Sequence, residues 1–555
     1  MPNLNVTTFG GINYADDAAA LLARSHIFDG QAWAHRLDGY GRPIGMEAAN
    51  GQNFDILRGN LVKRKGSTSY ADLTVTGVNV FLAGDVVVLG PYEVRLPATN
   101  SYTRFVVSKK TIYTDQSGAW VQILTSAGAA YTHTDATVTS AAIVVADGGV
   151  FFGLGGANKI QRYRSGNKLD VQMDNGNAYT DAGGTARVIT GTWGTAYDRL
   201  AVFNGRLVFN DGTSTIQYTD VNQPWDLTGG GNAPAAGKVM ALQVHVPQFG
   251  NSLAAILYIG TGVGWQFTSD LASINNISGS QPPMSQRLVL NSRNWICYLS
   301  DRGALYGING NRVIDIGRRL KARDASSGPL DTINLANTLT VGNSVYNVDK
   351  QQAWWLISTA ASGQPDTTIV LDFQLGEPQL DEPLPSYEQI IRCLKWTGQD
   401  FASVHVTQDG IIGARSGGIM WTMENGYSDL AATAISATWF SPILDAMLPV
   451  NDKNWTIWFG RGLNAGAWNV QIDYLLDRDQ VSSKSYQFSQ GVATSTYGTA
   501  TYGTGTYQSA GIVVGSDDTD LISEAIQIKL TQGADAQNFT VTALEQRYDV
   551  LVEER

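Results

Sequence analysis

The dipeptide Asn204-Gly205 constrains the fold of this chain more than any other single feature. It separates two apolar-leaning runs, residues 200–203 and 206–209. Asn-Gly readily supplies the two positive φ angles of a type I′ turn, so this stretch predicts a β-hairpin. Similar turn-centred strand pairs recur along the chain, with turns near residues 147–148, 262, 303, 349–350 and 409–410.

The spacing of these hairpins indicates the architecture. Successive hairpins are separated by about 40 to 60 residues, which is the blade period of a β-propeller. A further strand pair within residues 85–124 precedes them. We therefore predict an all-β fold in which residues 71–434 form an irregular β-propeller of about six blades.

The pattern changes after Ala434. Trp455, Ile457 and Phe459 alternate with polar residues, as do the apolar residues of the segment 526–530. Period-two alternation is typical of strands with one buried face. Residues 435–555 are therefore predicted to form a separate C-terminal β-sandwich. Residues 1–70 have little periodicity and are predicted to form an arm or platform segment that is ordered only against another surface.

A five-residue repeat of threonine, tyrosine and glycine occupies residues 496–507. Its composition is typical of a long glycine-rich loop. The alternative is an extended arm whose tyrosines stack on a neighbouring subunit. The sequence leaves both interpretations open.

The composition favours a folded, turn-rich protein. The chain is 43% hydrophobic and only 16% charged, with 60 glycines. It is too apolar for disorder. Cys297 and Cys393 are the only cysteines, and we predict two buried reduced thiols. We expect no signal peptide and no membrane span, because no apolar run has the required length.

The motifs of catalysis are missing from the sequence. The five histidines occur singly without zinc-site spacing, and there is no GxSxG nucleophile motif. The glycine-rich stretch 153–159 lacks the spacing of a phosphate loop. The turn after Asp115 resembles the Asp box of sialidases, but it has one residue too many. We therefore expect no catalytic residue, no metal site and no cofactor.

The net charge of −11 is distributed unevenly. Residues 435–555 carry −7, whereas residues 1–70 carry +1. An acidic chain is poorly suited to binding nucleic acid by neutralising phosphates. It suits a surface over which DNA slides without adhering.

Two basic clusters interrupt this acidic background. The first is Lys63, Arg64 and Lys65, and the second is Arg318, Arg319, Lys321 and Arg323. In a strand, the side chains of Arg319, Lys321 and Arg323 would share one face. They are interpreted either as a solvated or intersubunit ion-pairing surface, or as a positive ring that contacts DNA phosphates.

Three stretches together resemble a known family. The first combines "FGGINYADDAAALL" with "GQNFDILRGNLVKRKGSTSY", and its matching residues are Gly10, Gly11, Asn13, Asn53, Gly59, Lys63, Arg64 and Gly66. The second is "RLAVFNGRLVFNDGTSTIQYTDVNQPWDL", and the third is "ISATWFSPILD". These stretches resemble the tail nozzle proteins of short-tailed bacteriophages, also called tail hub, tail tubular or packaged-DNA stabilisation proteins. The segment 24–50 is longer than its counterpart in that family.

The resemblance implies a structural virion protein without enzymatic activity. It implies a ring of six copies below the portal and its adaptor protein, with genomic DNA held in and passing through the channel without sequence-specific binding. It implies assembly in the host cytoplasm and further contacts with a tail needle or plug and with tailspike or fibre proteins. Its candidate arm or subunit-interface residues are Gly10, Gly11, Asn13, Asn53, Gly59, Lys63, Arg64 and Lys65. The alternative function is a carbohydrate-binding or carbohydrate-cleaving propeller, such as a phage receptor-binding or depolymerase protein.

Overall fold

A computed structural model describes most of the chain between residues 3 and 551. The described ranges are 3–6, 9–12, 26–28, 31–33, 36–37, 43–48, 50–57, 60–74, 81–96, 101–116, 119–136, 138–235, 237–245, 255–260, 264–268, 275–277, 281–292, 295–309, 312–321, 328–361, 363–374, 391–430, 433–441, 443–444, 452–463, 469–476, 484–489, 512–533 and 539–551. The repeat at 496–507, Asn13, Gly59 and Arg323 lie outside them. Almost every described element is a β-strand, so the predicted all-β fold class is confirmed.

Seven four-stranded antiparallel sheets follow one another along the chain, and each is a blade. The strands of blade 1 are Val87–Leu96, Ser101–Ser108, Ile112–Gln116 and Ala119–Gln122. The strands of blade 2 are Ala141–Ala146, Gly149–Leu154, Gln161–Tyr163 and Leu169–Gln172. The strands of blade 3 are Arg199–Phe203, Arg206–Asn210, Thr215–Tyr218 and Gly231–Pro234. The strands of blades 4 and 5 are Val239–His245, Ala255–Gly260, Gly264–Thr268 and Asn275–Ile277; and Val289–Asn291, Ile296–Leu299, Leu305–Asn309 and Arg312–Asp315. Those of blades 6 and 7 are Asn343–Asn347, Gln352–Ile357, Thr367–Asp372 and Arg392–Thr397; and Ser403–Thr407, Gly410–Ala414, Ile419–Met423 and Ser67–Asp72.

The blades close into a ring. Every neighbouring pair, including blades 7 and 1, shares a buried apolar cluster. The first strands of most successive blades contact one another around the axis, and the first strand of blade 4 contacts the 3-10 turn Gln286–Leu288 that directly precedes blade 5. The predicted number of about six blades is not confirmed. The six recurring hairpins and the earlier strand pair within residues 85–124 each lie in a separate sheet, so the described residues form seven blades.

The hairpin at Asn204-Gly205 has the predicted turn. Asn204 and Gly205 have φ angles of 48° and 71°, and they connect the first two strands of blade 3. Asp147 and Gly148 repeat this geometry in blade 2, with φ angles of 44° and 66°. Both turns match the positive φ angles that a type I′ turn requires.

Blade strands are apolar on both faces because each blade packs against two neighbours. In blade 6, Trp354 packs into the cluster shared with blade 7, and Trp355 packs into the cluster shared with blade 5. Both tryptophan side chains are fully buried. This arrangement explains why the blade strands read as continuous apolar runs rather than as an alternating pattern.

Residues near the N-terminus complete the last blade. The strand Ser67–Asp72 pairs with Ile419–Met423 and is the outermost strand of blade 7. The ring is therefore closed by hydrogen bonds between segments about 350 residues apart, counted from Ser67 to Met423. The segment 67–70, assigned from the sequence to the arm or platform, thus contributes to the propeller.

The platform is a two-sheet sandwich built from both ends of the chain. Its first sheet has the strand order His26–Phe28, Gln31–Trp33, Asn3–Val6, Thr540–Val550, Lys453–Leu463 and Ile512–Ser523, and the hairpin Phe54–Leu57 with Asn60–Lys63 joins it through Thr540–Val550. Its second sheet has the order Lys484–Ser489, Asn469–Leu476, Ile526–Gln532, Ala437–Phe440 and Asn50–Gln52. The sandwich expected after residue 434 is present in the described residues, and N-terminal strands extend both of its sheets.

A few short elements complete the described structure. They are the three-stranded sheet Phe9–Ile12, Pro43–Ala48 and Arg36–Leu37, the hairpins Ala178–Thr180 with Ala186–Val188 and Ser428–Asp429 with Thr433–Ala434, the 3-10 turns Gln286–Leu288 and Arg318–Leu320, and the α-helix Leu335–Val341. Cys297 and Cys393 are both buried thiols, as predicted. No helix within the described ranges is long and apolar enough to cross a membrane.

Candidate functional site at the propeller–platform joint

Propeller and platform meet at a set of buried polar side chains, which we call the joint. Its platform side comprises Asn53, Asp55, Lys63 and Arg64, and its propeller side comprises Lys350, Asp372, Arg392, Thr397, Glu424 and Asp429. Several of these residues came from the predicted arm segment. The joint contains the buried charged residues Asp55, Lys63, Arg64, Asp372, Arg392 and Asp429.

Asn53 connects three parts of the chain. Its backbone N–H donates to Lys395 O at 2.8 Å, and its Nδ2 donates to Thr397 Oγ1 and Ser436 O, each at 2.9 Å. Its Oδ1 accepts from Arg64 Nε at 2.9 Å and from Thr397 N at 2.7 Å. The φ angle of 58° lies in the left-handed region, which asparagine tolerates better than most residues. Asn53 therefore fixes the platform hairpin to the edge of blade 6.

Arg64 is fully buried and uses its guanidinium on both sides of the joint. Nη1 donates to Asp429 Oδ1 at 2.9 Å, and Nη2 pairs with the other carboxylate oxygen of Asp429. Nη2 also donates to Thr397 O at 2.6 Å. Removing one partner of such a buried pair leaves an uncompensated charge and costs about 3–5 kcal/mol. This pair therefore holds the platform hairpin against blades 6 and 7.

Gly66 permits the close approach that this pairing needs. A Cβ atom at this position would lie 2.0 Å from Ser428 O, which is a backbone atom that cannot rotate away. The glycine nitrogen donates to Gly426 O at 3.1 Å. The Lys-Arg-x-Gly stretch can therefore run directly along the segment that carries Asp429.

Lys350 forms a second connection across the joint. Its Nζ lies 2.8 Å from Asp55 Oδ2 and also pairs with Glu424. Burial alone would lower the pKa of Lys350, but the two carboxylates raise it above its ordinary value. Burial would raise the pKa of Asp55, but the charge of Lys350 and its hydrogen bond hold it below the ordinary value. Both groups are thus held in their charged forms.

Asp372 lies at the inner end of the same cluster. Its Oδ2 is 3.1 Å from Arg392 Nη2, and neither side chain is more than 3% exposed. Burial raises the pKa of Asp372 to about 7, the charge of Asp55 adds to this shift, and Arg392 opposes it. Burial also raises the pKa of Glu424, although Lys350 opposes the shift. The joint therefore holds a carboxyl group that titrates near neutral pH.

The charged groups of the joint are mostly engaged with one another. The pairs Arg64–Asp429 and Lys350–Asp55 join the platform to the propeller, whereas Arg392–Asp372 lies within blade 6, and all of these groups are largely withdrawn from solvent. Buried, hydrogen-bonded ion pairs restrict the relative motion of the elements they connect. The joint can fix the angle between propeller and platform.

The candidate interface residues have different positions in the structure. Asn53, Lys63 and Arg64 are buried within a single chain, with exposed fractions of 4%, 1% and 0%. Their side chains therefore have no surface to offer to a second subunit, and Lys63 Nζ donates to Gln532 Oε1 at 2.8 Å inside the platform. Lys65 is exposed. Its subunit contact stays a prediction.

The remaining candidates of this group lie nearer the N-terminus. Gly10 and Gly11 lie in the strand Phe9–Ile12, which pairs in parallel with Pro43–Ala48. Asn13 and Gly59 lie outside the described residues. A subunit contact through these positions also stays a prediction.

The second basic cluster does not have the expected geometry. Arg318 and Arg319 lie in a 3-10 turn, not in a strand, so the alternation that would align Arg319, Lys321 and Arg323 is absent there. Arg318 is exposed and Lys321 is partly exposed, whereas Arg319 is buried and donates to Ile391 O at 2.9 Å. The turn follows the outermost strand of blade 5, far from the first strands around the axis. Arg323 lies outside the described residues, so a common face of the three basic side chains is not tested, and the channel or interface role of this cluster stays a prediction.

A cleft of about 400 Å³ opens beside the joint. Its polar lining includes Asp366, Asp400 and Asp429. Each carboxylate already has a partner: Asp366 accepts from Thr359 N, Asp400 pairs with Arg415, and Asp429 pairs with Arg64. Among the described residues, no group of three or more histidine, cysteine, aspartate or glutamate side chains could hold a metal ion.

Sequence reasoning missed the propeller side of the joint. The sequence assigned Lys350 only to a predicted turn, and Asp429 was not among the candidate site residues. Lys350 is 295 residues from Asp55, and no local pattern connects positions so far apart. The one signal that could have indicated the joint is the basic stretch 63–65 in a segment rich in apolar residues, because a buried basic side chain needs an acidic partner.

Comparisons with known proteins add little to this description. No protein-family model and no curated protein match the chain. The fold is similar to BBS1N in its complex with ARL6DN, at 8% identity and a TM-score of 0.35, covering 65% of this chain and 97% of that one. It is also similar to an exo-β-1,3-galactanase from Phanerochaete chrysosporium, at 9% identity and a TM-score of 0.25, covering 77% of this chain and 99% of that one.

A further similarity is to the extracellular domain of the putative hybrid two component system BT3049 from B. thetaiotaomicron. The identity is 8% and the TM-score is 0.40, with 86% of this chain and 61% of that chain covered. At TM-scores below 0.5 these likenesses carry no functional information.

Proposed function

We propose that this chain is a tail nozzle protein of a short-tailed bacteriophage. Several copies, six by the family's pattern, form a ring below the portal and its adaptor protein. The ring holds packaged DNA and conducts it during ejection. Assembly takes place in the host cytoplasm, and a tail needle or plug and tailspike or fibre proteins are further partners.

The observation that carries the proposal is the position of the residues on which the resemblance rests. Asn53, Arg64 and Gly66 are the residues that build the joint: Asn53 bridges three segments, Arg64 pairs with Asp429, and Gly66 permits the close approach. A conduit under the pressure of packaged DNA needs a fixed angle between its domains. A buried network of paired charges supplies that rigidity.

The charge distribution agrees with a channel that does not retain DNA. The platform segment 435–555 carries −7 of the net charge of −11. Each phosphate contact would add about one unit to the salt dependence of DNA binding. An acidic surface avoids such contacts, so DNA can be held by confinement and released quickly.

The proposal is tested with phage particles that lack this chain. Particles filled with DNA but missing the nozzle should lose their DNA and become sensitive to nuclease. Adding the purified protein should restore protection, and the K168Q variant, which alters an exposed lysine beside the last strand of blade 2, should restore it equally. The R64M variant should not, because the joint is broken. Normal DNA retention without the chain would contradict the proposal.

The alternative of a carbohydrate-cleaving propeller makes a different prediction. The cleft beside the joint is its most plausible location, because three carboxylates line it. All three carboxylates are engaged by partners within the chain, so we expect no release of reducing sugar from host polysaccharide. Release that is abolished by D366N or D400N would favour the alternative.

A further inference from the structure

One arginine lies at the axis of the propeller. Arg287 is in the 3-10 turn Gln286–Leu288, directly before the first strand of blade 5. Its Nη1 donates to Val88 O at 3.4 Å, and its Nη2 donates to Thr340 O. Val88 belongs to the first strand of blade 1, and Thr340 lies in the α-helix Leu335–Val341, which precedes blade 6.

These contacts locate the guanidinium. The first strands of the blades surround the axis, so a side chain that reaches from blade 5 to blades 1 and 6 lies at the end of the axial channel. The guanidinium lies at the end of the channel where the first strands begin. Val88 is the second residue of the first strand of blade 1, and Arg287 and Thr340 precede the first strands of blades 5 and 6.

Surrounding hydrogen bonds fix the backbone beneath Arg287. Gln286 Oε1 accepts from Leu242 N at 2.7 Å, and Gln286 Nε2 donates to Leu242 O at 3.0 Å, which ties this turn to blade 4. Ser344 Oγ donates to Arg287 O at 2.9 Å, which ties it to blade 6. The guanidinium is therefore presented from a rigid rim and loses little freedom on binding a ligand.

The positive charge of Arg287 lacks a carboxylate counterpart within the described ranges, where no ion pair involves it. Burial alone lowers the pKa of Arg287 to about 10, and no neighbouring charge contributes to this shift. A guanidinium has five N–H donors, and described residues accept from two of its nitrogens. The group is thus a partly buried cation with donors to spare.

The adjacent serine adds a polar atom. Ser285 Oγ is buried and has no hydrogen-bond partner among the described residues. A buried hydroxyl normally has a partner, and its lack of one marks a place where a ligand or water is expected. Ser285 lies two residues before Arg287, at the start of the same turn.

We infer that this end of the axial channel binds an oxyanion, a carboxylate or phosphate group, through Arg287. The planar guanidinium matches both groups because it can donate two parallel hydrogen bonds to their oxygens. The low-dielectric surroundings strengthen that attraction relative to an exposed arginine. The anion comes either as a free phosphate or as an acidic side chain of a partner protein. This site does not depend on the proposed ring.

Isothermal titration calorimetry measures the binding of two probes to the full chain. The probes are inorganic phosphate and a short polyglutamate peptide. The wild-type protein should bind at least one of them saturably, and the probe that binds more tightly identifies the source of the anion. R287Q should weaken this binding by about tenfold or more, since a charge-assisted hydrogen bond is lost. R302Q, which removes an exposed arginine, should bind as the wild type does.

Two results would overturn the inference. One is that the wild-type protein binds neither probe, and the other is that R287Q binds as tightly as the wild type. In either case Arg287 only clamps the blades together. If R287Q does not fold, R287K serves instead: it keeps the charge but loses the planar fork, so binding should weaken. In the wild type, phosphate should also protect Arg287 from modification by phenylglyoxal, and unchanged modification would count against the site.

Discussion

Arg64 and Asp429 are 365 residues apart in the sequence and form a two-point ion pair in which the arginine side chain is fully buried. Arg64 precedes Ser67–Asp72, the first segment of the chain that belongs to the propeller. Asp429 follows Ile419–Met423, the third strand of blade 7. The pair therefore joins the entry and the exit of the propeller at the place where the platform begins. Its strength determines how firmly the two parts are connected.

Breaking this pair should be costly. R64M leaves the carboxylate of Asp429 buried without its partner and should lower the free energy of unfolding by about 3–5 kcal/mol. Chemical denaturation measures the change, with K65Q as the matched control because Lys65 is exposed. The double variant R64M/D429L removes both charges and should recover much of the loss. A change below about 0.5 kcal/mol in R64M, the range of ordinary surface substitutions, would contradict this role.

Gly66 should not accept a side chain. A Cβ atom there would lie 2.0 Å from Ser428 O, so G66A must move the backbone of blade 7 or of the hairpin. We expect a loss of about 1–3 kcal/mol or more, as for other overpacked positions. G417A is the control, because nothing lies within 4 Å of a Cβ atom at Gly417. Equal melting temperatures for the two variants would refute the close approach.

The stability of the protein should depend on pH through Asp372. Burial raises its pKa to about 7, from an ordinary value of 3.8. The folded chain therefore keeps a proton that the unfolded chain releases. This contribution to stability is complete below pH 3.8 and disappears as the pH rises through 7. Stability should consequently fall between about pH 4 and pH 7.

The D372N variant isolates this effect. The amide does not titrate, so the fall in the free energy of unfolding over that pH range should become smaller. Part of this pH dependence should remain, because burial also raises the pKa of Glu424. D349N removes an exposed carboxylate from a nearby turn and should retain the wild-type slope. If D372N and the wild type have the same slope, Asp372 is not the titrating group.

The closing strand of blade 7 predicts the effect of truncation. Deleting residues 1–72 removes Ser67–Asp72, which pairs with Ile419–Met423, together with the platform hairpin. The propeller should then lose its cooperative thermal transition, because the edge of blade 7 and the cluster shared with blade 1 are exposed. Deleting residues 1–49 keeps that strand and should leave the transition intact. Identical melting curves for the two truncated chains would contradict the closure.

Local features of the fold were readable from the sequence, whereas its long-range pairings were not. Asn204-Gly205 predicted its hairpin because the turn geometry depends on two adjacent residues. The pairing of Ser67–Asp72 with blade 7 and the contact of Lys350 with Asp55 depend on distant segments. Nothing in the composition of residues 67–72 distinguishes a propeller strand from a platform strand.

The same limit applies to the candidate site. Arg64 was selected from the sequence, but its burial was not, because a run of basic residues is usually solvent-exposed. The basic side chains near 319 were expected to share one face only if the stretch is a strand, and Arg318–Leu320 form a 3-10 turn in which Arg319 is buried. Whether a charged side chain is buried depends on its tertiary neighbours, and for Arg64 these are Asp429 and Thr397.

Electron cryomicroscopy of the purified full-length protein, supported by its mass in solution, tests the proposed function most directly. The proposal predicts a closed ring of six copies with a central hole wide enough for duplex DNA, in which the acidic platform segment 435–555 contributes to the lining. The R64M variant should form few or no rings. A protein that stays monomeric at high concentration and in the presence of the portal and adaptor, or that forms a compact oligomer without a central hole, would contradict the proposal.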